Sequence, residues 1–159
     1  MLQQKESFLK NDFIEALKKL DPQTPPQWGI MNAQQMVEHF TDAVKNASGK
    51  LKLPIINEGE RLAKSRDFLL TESAFKENID NPYIPKEGIP HRQPDMVSAI
   101  NKLQKELDYF FEVFAKNPDL QTGNAFFGML DYRMNIQLLH KHALHHLRQF
   151  GWEQEVKIQ

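Results

Sequence analysis

An all-α fold, with four long helices and one additional helix, is what this sequence predicts. Three observations lead there. Five segments repeat apolar residues at helical spacing, no segment alternates convincingly as a strand does, and most links between the helices are short. A length of 159 residues suits one domain spanning 1–159.

The first helix is expected in KESFLKNDFIEALKKLD. Phe8, Leu9, Phe13, Ile14, Leu17 and Leu20 fall near one stripe, and the breaker run DPQTPPQWG ends it. The second lies in NAQQMVEHFTDAVKNASG, where Asn32 and Gln35 have the spacing of a capping box and Gly49 stands just past the end. Its apolar face is Met36, Phe40, Ala43 and Ala47, so Glu38 and Asp42 are expected in solvent. EGERLAKSRDFLLTESAF is less regular, but Leu62, Phe68 and Leu69 with flanking Arg and Lys favour a third helix. A long connection follows, because Pro82, Pro85, Pro90 and Pro94 with Gly88 sustain neither a helix interior nor a central strand. The fourth helix has the clearest pattern. Met96, Ile100, Leu103, Leu107, Phe110 and Phe114 alternate steps of four and three, the seam by which helices pack at a shallow angle. NAFFGML reads as core packing and loop closure with a turn at Gly128, and the fifth helix runs from a cap at Asp131 to Gly151.

Charge and composition remove several classes of function. Lys and Arg total 20 against 21 Asp and Glu, leaving no concentrated positive field for nucleic acid or an anionic membrane surface. No apolar run approaches the roughly 20 residues of a membrane span, and MLQQKESFLKNDF lacks a signal-peptide core, so a cytoplasmic protein is expected. Cysteine is absent, so any metal must be held by histidine and oxygen.

Histidine is the notable residue. LLHKHALHHLRQFGW carries four of the six in the chain. On a helix His142 and His146 lie about 40° apart and one turn along, so both imidazoles can reach one ion. They sit on the shoulder of the apolar face made by Tyr132, Ile136, Leu139, Ala143, Leu147 and Phe150, with Arg133, Gln137, Lys141 and Arg148 opposite. A third ligand is needed, and His39, on the matching shoulder of the second helix, is the best placed. Only with His39 added to the spacing does this reading stand level with ordinary helix-shoulder histidines, which is the expectation for His91 and His140. Asn135 and Gln149, within about 20° of the direction of His142, are either second-shell donors or surface amides. His145 either supports a ligand or lines the pocket, and Tyr83, His91 and Arg92 are candidates for its mouth. No carboxylate shares the face of His142 and His146, so no catalytic base is identified.

The motifs WGIMNAQQMVEHF, FFGML and HKHALHHLRQFG resemble the DinB-like superfamily of four-helix bundles, also called YfiT-like or bacillithiol-transferase-like. They are most similar to a branch of domains of unknown function, over most of the chain. The resemblance implies a DinB-like four-helix bundle with an additional helix and a metal triad at His39, His142 and His146. It also implies a divalent ion, zinc or nickel, and a small-molecule substrate such as a low-molecular-weight thiol in a transferase or hydrolase reaction. The alternative is a non-catalytic bundle that binds a small molecule or forms a homodimer through the broad seam of the fourth helix. Ligation by three neutral imidazoles predicts metal affinity that falls as pH drops through about 6.5.

Overall fold

Five-residue steps from Phe8 to Phe13 and from Leu9 to Ile14 account for the first feature of the fold. Residues five apart on an α-helix diverge by about 140°, whereas a wider turn brings them back to one face. In the computed structural model, which describes residues 1–78, 84–86 and 88–153, α1 (Leu2–Ser7) runs through a π-helical segment (Phe8–Asp12) into α2 (Phe13–Lys19). The Phe13 N–H bonds to the Phe8 carbonyl across that turn, and all four side chains are buried. The rod is continuous.

The second helix, α3 (Ala33–Ala47), starts with the expected reciprocal cap: Asn32 accepts from the Gln35 N–H while the Gln35 side chain accepts from the Asn32 N–H, each at 2.8 Å. The next, α4 (Gly59–Leu69), stops short of the expected Phe75. The reason lies in its partners. Gln137 donates to the Leu69 and Thr71 carbonyls, and Lys141 donates to those of Thr71 and Ser73, so side chains of another helix satisfy the backbone that continued helix would have used.

The fourth, α5 (Met96–Lys116), is capped by Asp95 and buries the whole seam from Met96 to Phe114. That seam is buried within the chain, on α3 and the first rod. Last comes α6 (Tyr132–Gln149), capped by Asp131. Its end is closed by Gly151 at φ +86°, with Gly151 N–H on the Arg148 carbonyl and Trp152 N–H on that of Leu147. The first rod touches α5 and α6, and α3 touches the same two, so four long rods close a ring around one core that includes Phe13, Phe40, Leu103, Phe110 and Leu139.

One expectation needs correction. A short antiparallel hairpin, β1 (Thr122–Asn124) with β2 (Gly128–Leu130), interrupts the α fold before α6. Three residues per strand are too few to display an alternation in the sequence. The turn is built by Asn124, whose side-chain oxygen accepts from the Phe126 and Phe127 N–H groups, and by Gly128 at φ +73°. With α4 the hairpin covers a smaller core of Leu69, Phe127, Leu130 and Leu138. Among the described residues no helix is long and apolar enough to cross a membrane.

Candidate metal centre

Two core-facing helices aim three histidines at one point. On α3, burial of Met36, Val37 and Phe40 fixes the rotation that turns His39 toward α6. On α6, burial of Leu139, Ala143 and Leu147 turns His142 and His146 toward α3, and the Phe40 ring packs 5.1 Å from that of His142. Although 103 residues separate them in the chain, His39 Nε2 stands 3.2 Å from His142 Nε2. His146 Nε2 is 2.7 Å from the same atom. One ligand atom from each of the three lies within 4.8 Å of the other two.

The donor set suits a divalent ion. Imidazole nitrogens sharing a tetrahedral zinc ion at about 2.0–2.1 Å stand roughly 3.3 Å apart, close to the spacing of the His39 and His142 atoms. Metal ligation requires neutral imidazole, and burial supplies it: the His39 pKa is lowered from 6.5 to about 4, and those of His142 and His146 fall well below 6.5. Proton accounting points the same way. A nitrogen carries at most one N–H, so His142 Nε2 cannot bond well to both neighbouring Nε2 atoms at once, whereas a cation between the three is satisfied by every lone pair.

The flanking residues divide into two groups. Gln149 touches the triad, its side-chain oxygen lying 2.8 Å from His146 Nδ1. Asn135 does not: its amide donates to Thr122 Oγ1 and to the Leu130 and Asp131 carbonyls, tying α6 to the hairpin. His145 bonds no ligand histidine. Its ring packs 5.1 Å from that of His146, 5.5 Å from Trp28 and 5.9 Å from Phe75, and its buried Nδ1 has no hydrogen-bond partner among the described residues.

Several surface expectations are overturned. Glu38 is buried and accepts from the Arg92 and Gln93 N–H groups at 2.6 and 3.2 Å. Asp42 holds the Arg92 guanidinium through two 3.0 Å bonds. The proline-rich connection supplies these partners by lying against α3, which helical periodicity gives no means to foresee. His140 is half-buried and meets Phe8 edge-on at 5.2 Å, whereas His91 is exposed, as expected, and 3.1 Å from Asn32 Oδ1. Lys141, expected opposite the core, is buried beneath residues 71–75 with its ammonium 4.7 Å from the Phe68 ring. Its bonds hold Phe75 against His142 and His145, an aromatic wall formed by a residue expected instead at the end of the third helix.

Next to His39 is a narrow recess lined by Met31, Ile84, Ile89 and Pro90, with Glu38 and Arg92 at its polar side. Arg92 therefore lies beside the site, and Tyr83 falls outside the described residues. Comparison with family models, curated proteins and solved structures finds no match to this chain.

Proposed function

We propose that the protein is a DinB-like, divalent-metal-binding bundle that carries out metal-dependent transfer or hydrolysis on a small molecule. The carrying observation is the convergence of three neutral imidazole nitrogens from two helices. His39, His142 and His146 hold the ion, and zinc or nickel suits such donors. When bound, an ion of this kind supplies Lewis acidity toward a water or a low-molecular-weight thiol.

The chain contributes the surroundings. Phe40 and Phe75 pack their rings against His142, which is part-buried, and the recess beside His39 gives an apolar contact for a small substrate with Arg92 at its polar side. Burial of the His146 side chain favours one other reading, a bundle whose ion is structural and whose pocket binds without turnover.

Metal content of the untagged protein, purified without chelator, tests the proposal against a His142→Ala/His146→Ala variant. Near-stoichiometric metal in the parent and none in the variant is expected. No metal in the parent after supply of zinc, nickel and manganese would sink it.

A further inference from the structure

Gln149 bridges two parts of the chain with opposite ends of one amide. Its Nε2 lies 3.0 Å from the Trp28 carbonyl, and its Oε1 lies 2.8 Å from His146 Nδ1. A carbonyl oxygen only accepts, so the NH2 end must face Trp28. The oxygen end therefore faces the imidazole, and an amide oxygen also only accepts. His146 Nδ1 must carry the hydrogen.

From this geometry we propose that Gln149, held by the Trp28 carbonyl, is a positioning residue that fixes His146 as its Nδ1–H tautomer and leaves Nε2 bare toward His39 and His142. Neutral imidazole in water is free to place its single proton on either nitrogen. On the wrong one it would block the lone pair that the triad needs. The surrounding chain is built to hold the amide. Gln27 N–H bonds to the Gln149 carbonyl at 2.8 Å, and Gly29 takes φ +77° where an added Cβ would stand 3.0 Å from Gln149 Nε2. Glycine thus gives the turn both its left-handed backbone and room for the amide. Gln149 itself is buried, so water does not compete for either end.

The metal consequence rests on the proposed triad, but the tautomer is read without metal. In the chelated full-length protein, long-range 1H–15N correlation of the histidine rings reports which nitrogen is protonated, with the His146 signals assigned through single-histidine variants. The Nδ1–H form is expected in the parent and in Gln149→Glu, whose buried carboxyl, when protonated, donates its O–H to the Trp28 carbonyl in place of the amide while its other oxygen still accepts from Nδ1. Gln149→Leu and Gly29→Ala, which remove or displace the acceptor, should populate the Nε2–H form. Zinc affinity should fall about 10- to 100-fold in Gln149→Leu and be better preserved in Gln149→Glu. An Nε2–H tautomer in the parent, or an Nδ1–H tautomer unchanged in both Gln149→Leu and Gly29→Ala, would overturn the assignment. Equal loss of zinc affinity in Gln149→Leu and Gln149→Glu, with the tautomer unchanged, would show a packing role instead. Failure of the parent to bind zinc while the tautomer follows Gln149 would defeat the metal proposal alone.

Discussion

Burial decides how the histidines behave, and the consequence can be measured. His39, His140 and His145 each have a pKa lowered from 6.5 to about 4, chiefly because burial penalises the charged ring, and His142 and His146 fall well below 6.5 through burial first, helped by His146 and His39 beside His142 and by His39 beside His146. Between those pH values the unfolded chain takes up protons that the folded chain refuses. Stability present above pH 6.5 is therefore lost progressively as pH falls toward 4. Urea unfolding of the chelated protein should show a lower midpoint at about pH 5 than at about pH 7, and a midpoint unchanged across that interval would mean that the rings titrate as free histidine does. Metal affinity shifts with them: its fall moves to more acid pH than the 6.5 expected of free imidazole, because the ligands are already neutral there. The spacing of His142 and His146 was legible from the sequence alone. The environment that sets their protonation was not, since it comes from Phe40, Phe75 and Trp28 on elements far away in the chain.

At the scale of elements, helices with local end signals were legible and those ended by distant partners were not. Asn32, Asp131 and Gly151 act within a turn of their own sequence, and α3 and α6 begin or end as those residues indicate. By contrast α4 ends at Leu69 because Gln137 and Lys141 of α6 take the carbonyls beyond it. Glu38 is the same lesson in reverse. Its position on α3 looks like solvent until the connection arrives and places two backbone N–H groups on its carboxylate. Glu38→Ala leaves those donors without their acceptor while α3 keeps its helix former, so the loss falls on the clasp between the two segments. It should cost about 2 kcal/mol of stability and speed tryptic cleavage after Lys86 and Arg92, whereas an unchanged cleavage rate would show that Arg92 and Asp42 hold the connection by themselves.

For the whole molecule, the position of the triad in the ring matters more than its number of ligands. His142 and His146 share one helix, so their pairing exists wherever α6 is helical, but His39 joins them only when α3 and α6 are packed. An ion bound by all three recognises the native arrangement and leaves the unfolded chain with weaker partners. Such a ligand stabilises by mass action, about 2.7 kcal/mol at a free concentration a hundredfold above its Kd. Zinc should therefore raise the thermal midpoint of the parent, and chelator should reverse the rise. The discriminating variant is His39→Ala, which keeps the pair on α6 but cuts the link between helices. Most of the zinc-induced rise should disappear in it, together with the rise in His142→Ala. A shift in His39→Ala as large as in the parent would place the bound ion on the α6 pair or elsewhere, and the closure of the ring would then owe nothing to metal. The same comparison separates ligation from packing, because without zinc His142→Ala also lowers the midpoint by opening space beside Phe40, and His39→Ala by opening space beside the His142 and His146 rings. Only the difference between the midpoints with and without zinc measures the site.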